Sequence, residues 1–226
     1  QQSFFDPAMD QELTRRRELE AELRSAIRGG QLQLHYQPIV DLKTGRISSF
    51  EALVRWQHPE RGMLSPDEFI AIAEATGLII TMGNWIVLEA CRTAMQWPAD
   101  IKVSVNVSPV QMQAPGAALG FLNALKVSGL PASRLDLEIT ENVFAAKTEH
   151  VVEFVRLIRD AGIGLTLDDF GTGYSSLSYI REFDFSKIKI DRSFVSGLTD
   201  GDRASAIVSA VAYLAERLAM PVVAEG

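Results

Sequence analysis

Two adjacent carboxylates, Asp168 and Asp169, are the residues in this sequence whose types and spacing most directly indicate chemistry. They follow residues 165–167, a short run that predicts a strand. Acids at the carboxyl end of a strand lie where α/β proteins bind ligands and metals. A solvated Asp-Asp turn without a function is the alternative, and this segment alone leaves both open.

The backbone after these acids contains the residues needed for a sharp turn. Neighbouring side chains of a strand point to opposite faces, so the two carboxylates share one site only if the strand ends there. Gly171 and Gly173 permit such a turn, and Ser175 or Ser176 can cap a following helix. If the strand ends here, the two carboxylates can share one site, and that site would suit a hard divalent cation.

Three other predicted strands each carry one polar face. Residues 103–108, 135–140 and 187–191 alternate apolar and polar side chains, and Asn106, Glu138 and Lys189 lie on the polar faces. Strands covered by helices are normally apolar on both faces. A hydrogen-bonded interior group explains any one of these residues, but the repetition favours a shared site at the carboxyl ends of the strands.

Two further segments add polar groups in corresponding positions. Glu51, Leu53 and Arg55 share one face of a predicted strand, so Glu51 can join the cluster and Arg55 can face an anion just beyond it. Glu225 closes the last predicted strand in the same relative position. Lys189 can then orient an attacking water or stabilise developing charge.

The candidate ligands are all oxygen donors, without histidine or thiolate. They are Glu51, Asn106, Glu138, Asp168, Asp169 and Glu225. Such a set favours Mg²⁺, Mn²⁺ or Ca²⁺ over Zn²⁺, and buried carboxylates repel one another unless cations lie among them. Two metals roughly 3.5–4 Å apart are the usual arrangement for phosphoester hydrolysis.

The secondary-structure elements that must position these residues are predicted to be a β-hairpin followed by alternating helices and strands. Residues 32–40 and 46–56 predict two antiparallel strands joined by a five-residue, glycine-bearing loop. Helices are then predicted at 66–75, 85–97, 117–127, 148–161 and 202–218. Strands are predicted at 102–107, 135–140, 164–168, 187–191 and 222–225. The alternation predicts parallel strands with crossover helices, close to a (β/α)₈ barrel.

The first thirty residues differ from the rest. Pro7 predicts a helix start, and a charged segment runs to Gly29 and Gly30 with Leu19 and Leu23 on one stripe. A solvated helix packed lightly on the domain is one interpretation. A signalling connector to an upstream domain is the other.

Composition excludes several classes. A net charge of -7 argues against a DNA- or RNA-polymer binder, and a single cysteine, Cys91, excludes an internal disulfide framework. No run of eighteen apolar residues and no signal peptide are found, so a cytoplasmic location is expected, with any membrane tether outside these residues. His35, His58 and His150 lack metal-ligand spacing, and Cys91 lies in an apolar stretch typical of a core.

The motifs that carry these residues resemble the EAL-domain family of bacterial cyclic di-GMP phosphodiesterases. The matching segments are 51–56 (EALVRW) with 58–59 (HP), 106–108 (NVS), 137–141 (LEITE), 168–173 (DDFGTG), 189–191 (KID) and 224–226 (AEG). They occur in family order from about residue 32 to the end. The resemblance implies a modified (β/α)₈ TIM-like barrel with one antiparallel strand, and hydrolysis of cyclic di-GMP to linear pGpG with two Mg²⁺ or Mn²⁺ ions.

The resemblance also implies roles for individual residues. The first metal would be held by Glu51, Asn106, Glu138 and Asp168. Asp168 would bridge to a second metal, which Asp169 helps to hold and Glu225 reaches directly or through water. Lys189 would contact the nucleophilic water.

Further roles are implied for residues around the metals. Arg55 would contact a substrate phosphate, and Gln37 and Leu53 would line the substrate cleft. Glu141 would steady the loop from residue 169 to 176, which couples dimer contacts to metal binding. Asp191 would support the substrate side of the site.

The family resemblance also bears on domain organisation. Residues 1–30 are expected to be a connector helix and residues 31–226 the EAL-type barrel. Family members continue past Gly226 with another helix and strand, so the barrel is expected to be C-terminally incomplete as printed. Residues 4–7 resemble the join after a GGDEF domain, which predicts an upstream GGDEF or sensory domain, and a homodimer is expected.

Two functions remain as alternatives. The first is a metal-dependent phosphodiesterase. The second is a catalytically inactive receptor that binds cyclic di-GMP and signals through a change of shape. Receptors in this family usually lose ligand positions, whereas every ligand position recognised here is intact, which favours the enzyme.

Overall fold

An antiparallel hairpin begins the sheet. In the computed structural model, which describes residues 7–146, 148–171, 180, 182–197 and 202–225, strands β1 (Leu32–Asp41) and β2 (Arg46–His58) pair antiparallel. Asp41 ends β1 and accepts hydrogen bonds from the backbone N–H groups of Lys43 and Thr44 at 2.9 and 2.8 Å. These bonds hold the loop of residues 42–45, one residue shorter than predicted because β1 includes Asp41, and the predicted hairpin is confirmed.

A short third strand was not predicted. Strand β3 (Gly62–Leu64) pairs antiparallel with the end of β2 after a tight turn. His58 holds that turn, because its Nδ1 accepts hydrogen bonds from the backbone N–H groups of Glu60 and Arg61, both at 3.1 Å. Three residues are too few for an alternating pattern to be recognised in the sequence.

The other five strands are parallel, as the alternation of elements predicted. They are β4 (Lys102–Asn106), β5 (Leu135–Thr140), β6 (Gly164–Phe170), β7 (Lys187–Ile190) and β8 (Val222–Ala224). The strand order is β1-β2-β4-β5-β6-β7-β8, with β3 beside β2. Within the described part of the chain, β1 and β8 are the outer strands of this curled sheet.

The first described helix precedes β1, and the other described helices lie in the connections between strands. In chain order, the helices are α1 (Pro7–Gly29), α2 (Pro66–Thr76), α3 (Leu78–Ala94), α4 (Pro109–Gln113), α5 (Ala117–Ser128), α6 (Glu149–Asp160), α7 (Arg192–Ser196) and α8 (Asp202–Arg217), with 3₁₀ turns at Ala132–Arg134 and Glu141–Ala146. This α/β architecture confirms the predicted TIM-like class.

Helix α3 begins seven residues earlier than predicted and ends three residues earlier. Gly77 separates it from α2 with a left-handed φ of 74°, and its N–H bonds to the carbonyl of Glu74. Leu78, Ile79 and Met82 are all buried, and Thr81 is the one exposed polar residue among residues 78–82. The prediction began the helix at Trp85 because an apolar run without a polar stripe does not show helical periodicity.

The core lies between the strands and the surrounding helices. Val103, Val105, Leu135, Leu137 and Ile139 face outward from the sheet and are buried beneath the helices. The polar residues that alternate with them point to the interior of the sheet. The predicted separation into apolar and polar strand faces is therefore present.

Helix α1 packs more firmly than the prediction of a light, solvated flank. Leu19, Leu23 and Ala26 are at most 3% exposed. Glu22 lies 3.2 Å from the Nε2 atom of the buried His58, which ties α1 to the end of β2. Among the described helices, none combines the length and apolar content needed to cross a bilayer.

Candidate functional site

Four carboxylates from separate parts of the sheet meet at one ammonium group. Lys189 on β7 lies with its Nζ 3.2 Å from Glu51 on β2, 2.7 Å from Glu138 on β5, 3.3 Å from Asp168 on β6 and 2.6 Å from Glu225 just after β8. We call this group the upper cluster. The carboxyl ends of neighbouring parallel strands meet at the same edge of a sheet, which is why residues so distant in sequence converge here.

The upper cluster is buried and electrostatically unbalanced. Lys189 and Glu138 are each 1% exposed, and one ammonium faces four carboxylates. Burial raises the pKa of Glu138 to about 7 and that of Asp168 to about 6, although Lys189 opposes both shifts. Burial would lower the pKa of Lys189, but the charges of Glu138, Asp168 and Glu51 outweigh it and raise that pKa. The site therefore favours additional positive charge.

The paired acids share the site through a local distortion, not through the predicted end of the strand. Strand β6 continues to Phe170, and its register with β7 shifts between Leu167 and Phe170. Asp169 adopts a left-handed φ of 53°, which costs a non-glycine residue about 1–3 kcal/mol. Its N–H donates to Asp168 Oδ1 at 2.9 Å. The kink removes the alternation that would have separated the two carboxylates.

Asp169 is electrostatically part of the same site. Burial raises its pKa, and the negative charges of Asp191 and Glu225 raise it further. Asp191 itself caps α7, because Oδ1 accepts from the N–H and the hydroxyl of Ser193. These hydrogen bonds lower the pKa of Asp191. Asp191 therefore stays ionised beside Asp169.

Asn106 stands at the exposed rim of the upper cluster. It ends β4, directly beside Glu138 in the register of β5. Its side-chain Nδ2 donates a hydrogen bond to Glu51 Oε1 at 2.7 Å. The structure thus brings together all of the residues predicted as metal ligands, although their predicted roles remain proposals.

Glu141 lies beneath the segment that follows Asp169. It is 6% exposed, and its Oε1 accepts a hydrogen bond from the N–H of Gly171 at 3.4 Å. Gly171 has a φ of 100°, a conformation that favours glycine. Gly173, Ser175 and Ser176, for which a turn and a helix cap were predicted, lie outside the described residues.

The residues predicted to bind substrate flank the upper cluster on two sides. Gln37 lies opposite Glu51 in the β1–β2 register and lines a cleft of about 330 Å³ between β1 and β8. Leu53 and Arg55 line a second cleft of about 440 Å³ that reaches Glu138 and Asp169. The second cleft therefore places Leu53 and Arg55 beside the upper cluster.

The far wall of the second cleft was missed by sequence reasoning. Helices α2 and α3 supply Ile70, Glu74, Met82 and Ile86 to it. The carboxylate of Glu74 accepts a hydrogen bond from the hydroxyl of Ser108 at 2.7 Å, which joins α2 to the end of β4. The helical spacing of these residues predicts only an inward face, so the sequence carries no separate signal for a cleft.

A smaller charge group, the lower cluster, lies at the amino-terminal ends of the strands. Asp136 is 1% exposed and receives Lys102 Nζ at 3.4 Å and Lys187 Nζ at 3.2 Å, one on each carboxylate oxygen. Gly164 stands opposite Asp136 on β6, where a Cβ would lie 1.9 Å from Asp136 Oδ1. Glycine is therefore required at this position to leave room for the carboxylate.

The upper cluster has the chemistry of a divalent-cation site. Its donors are oxygens only, its charge is negative, and Glu138 Oε1 is buried without a hydrogen-bond partner among the described residues. Among the described residues, no three acidic, histidine or cysteine side chains are arranged to hold a metal ion. The carboxylates of the upper cluster contact Lys189 instead. The donor set fits hard cations such as Mg²⁺ or Mn²⁺.

Known proteins share both the sequence and the fold. The EAL domain family model matches residues 20–226. Protein y4lL of Sinorhizobium fredii is 47% identical over 222 residues, which cover 98% of this chain and 27% of that protein. The cyclic di-GMP phosphodiesterase NbdA of Pseudomonas aeruginosa is 37% identical over 227 residues, which cover 99% of this chain and 29% of NbdA.

A solved structure agrees with these sequence matches. The phosphodiesterase PaMucR, in complex with c-di-GMP, superposes with a TM-score of 0.88 at 39% identity, covering 92% of this chain and 86% of that one. The chain spans 27–29% of the length of the two curated relatives. The family match, over residues 20–226, includes every strand that carries the upper cluster.

Proposed function

The chain belongs to the EAL domain family, and from this premise we propose that it hydrolyses one phosphodiester bond of cyclic di-GMP to give linear pGpG. The observation that carries the proposal is the convergence of four carboxylates on Lys189 beside the cleft that Leu53 and Arg55 line. A relative named as a cyclic di-GMP phosphodiesterase supports the substrate class. The product pGpG retains a 5′-phosphate, so the bond to the 3′ oxygen is the one broken.

The proposed cofactors are two divalent cations, Mg²⁺ or Mn²⁺. Glu51, Asn106, Glu138 and Asp168 would hold the first, and Asp168 with Asp169 the second. Such ions, when bound, lower the pKa of a coordinated water and offset charge on the phosphate. The acidic excess of the upper cluster supports this assignment, because cations relieve the repulsion between buried carboxylates.

Residues of the chain itself would bind and orient the substrate. Lys189 keeps its proton, since neighbouring acids raise its pKa, and so would offer a fixed positive charge and hydrogen-bond donors to the attacking water. Arg55 lines the second cleft, where its guanidinium would bind a phosphate oxygen. The apolar side chains of that cleft would take up a base and exclude water from it.

Glu141 and Glu225 complete the proposed machinery. Glu141 holds the N–H of Gly171, which fixes the backbone immediately after the two adjacent acids. Glu225 contacts Lys189 and would orient it, or reach the second metal directly or through water. Neither role requires a change in the described fold.

Larger assembly is proposed from the family resemblance. The protein would act as a homodimer and carry an upstream GGDEF or sensory domain, consistent with the small share of each relative that this chain spans. Light scattering of the purified protein measures whether it is a homodimer. A monomer at micromolar concentration with substrate and metal present would contradict it.

The test of function is a product assay. Incubation with cyclic di-GMP and Mg²⁺ or Mn²⁺, followed by chromatography, is expected to show pGpG, and Asp168→Asn is expected to show none. Binding of cyclic di-GMP without product in either metal would instead favour the receptor.

A further inference from the structure

Four buried polar atoms in the interior of the sheet lack hydrogen-bond partners within the described part of the chain. They are Ser49 Oγ, Ser104 Oγ, Thr166 Oγ1 and Glu138 Oε1. Ser104 and Thr166 are completely buried, and Ser49 is 2% exposed. Buried polar groups in native proteins are almost always bonded to protein or to ordered water, so this concentration in one place calls for a physical explanation.

The strand register places the hydroxyls between the two charge clusters. Ser104 lies opposite Glu51 on one side and Asp136 on the other. Thr166 lies opposite Glu138 on one side and Lys187 on the other. Directly paired residues of neighbouring strands point to the same face, so each hydroxyl points into the interior between an upper and a lower charged residue.

The chemistry of this region favours a small neutral molecule with both donors and acceptors. Lys189 above and Lys187 below disfavour a cation, and Glu138 and Asp136 disfavour an anion. Hydroxyl groups donate and accept, and a carboxylate oxygen only accepts. Water meets all of these requirements, and a buried water typically has two to four polar partners.

We propose that Thr166 and Ser104 bind buried water in the interior of the sheet and that this water donates a hydrogen bond to Glu138 Oε1. The bond holds the Glu138 carboxylate in orientation while its other oxygen contacts Lys189. Thr166 is then a positioning residue for a proposed metal ligand, a role that rests on the proposed function.

Two substitutions at Thr166 distinguish the effect of its hydroxyl group from the effect of its side-chain shape. Thr166→Val keeps the branched shape and removes the hydroxyl, whereas Thr166→Ser keeps the hydroxyl and removes a methyl group. In the full chain, we expect Thr166→Val to lower the melting temperature without metal and to weaken Mn²⁺ binding about 10-fold, the scale of partners that orient metal ligands. We expect Thr166→Ser to retain the Mn²⁺ affinity of the unaltered chain, as measured by titration calorimetry.

Other results would overturn the proposal. An unchanged or higher melting temperature for Thr166→Val would show that the hydroxyl binds nothing, since removing an unpartnered buried polar group stabilises a protein. Equal losses in both variants would assign the effect to packing. If the unaltered chain bound no Mn²⁺, the proposed function would fail, while the melting temperatures would still test the bound water.

A direct observation covers the case in which Thr166→Val does not fold. A high-resolution crystal structure of the unaltered chain is expected to show water within hydrogen-bonding distance of both Thr166 Oγ1 and Glu138 Oε1. Continuous side-chain packing at this place, with no water, would overturn the proposal.

Discussion

The upper and lower clusters lie on the same inner face of one sheet but differ in how their charges are matched. In the lower cluster, both oxygens of Asp136 have a lysine partner. In the upper cluster, four carboxylates share Lys189, and one oxygen of Glu138 has no partner among the described residues. The comparison teaches that two groups of buried charge in one sheet can differ in sign, with an excess of lysines in the lower cluster and an excess of carboxylates in the upper one.

The difference follows from which strand ends are involved. Loops at the carboxyl ends of parallel strands are where barrel proteins carry their sites, while the opposite end serves stability. In the lower cluster, each oxygen of the buried carboxylate has a lysine partner, and the side chain of Lys102 is partly exposed to solvent. The upper cluster leaves charges and a strained Asp169 for a ligand to stabilise.

The largest expected effect comes from removing the shared ammonium. Lys189→Met leaves the carboxylates of the upper cluster without a cation, and breaking buried ion pairs by removing one partner typically costs about 3–5 kcal/mol. We expect a loss of this size in urea unfolding of the metal-free chain, with partial recovery in Mn²⁺.

The matched control is Lys187→Met in the lower cluster. Lys102 still pairs with Asp136 there, so the loss should be smaller. Equal losses in the two variants would contradict the claim that the clusters are differently balanced.

The next effect is on turnover. Asp168→Asn removes a proposed metal ligand and one of the repelling charges, so we expect hydrolysis of cyclic di-GMP to fall more than about 100-fold while the free energy of unfolding without metal is kept or increased. Steady-state product formation and urea unfolding measure the two. A variant that keeps its activity would remove Asp168 from the site.

In the lower cluster, we expect a smaller effect, which lowers stability and leaves turnover unchanged. Asp136→Asn leaves two ammonium groups without a carboxylate, and we expect a loss of about 2 kcal/mol of stability, less than for a fully buried pair because Lys102 is partly exposed. Turnover per folded molecule should not change. A selective loss of turnover would show that this cluster belongs to the functional site.

The smallest expected effect is on pH dependence. The pKa values of Glu138 and Asp168 are raised in the folded chain to about 7 and about 6, so their protonated forms favour the folded state. Metal-free stability should therefore fall as pH rises from roughly 4 to 7, because both carboxyl groups lose their protons over this range. The stabilising charge of Lys189 is present throughout this window, because its pKa is raised.

Metal should reverse this trend. Ligands bind cations in their deprotonated forms, so stabilisation by Mn²⁺ should grow across the same pH window. Thermal unfolding with and without Mn²⁺ at successive pH values measures both slopes. A metal-free stability that rises over this range would contradict the assignment of raised pKa values to the upper cluster.

Much of the fold and the membership of the site followed from local patterns. Alternation in residues 135–140 indicated which side of β5 faces the interior, and the five-residue loop after Val40 predicted the antiparallel hairpin. Both signals depend on neighbours in the sequence, which constrain backbone geometry and side-chain direction directly. The oxygen donors were recognised for the same reason, since each lies on a polar strand face or at the end of a predicted strand.

Only the tertiary structure decided how those residues share charge. The contact of Lys189 with Glu51 joins residues 138 positions apart, and no local pattern reports such a distance. Nor does a pattern show that a left-handed Asp169, not a strand end, brings the paired acids together, or that Gly164 makes room for Asp136. Sequence periodicity determined which face each side chain joins, whereas the closing of the sheet determined which charges meet, because that depends on long-range packing that periodicity does not encode.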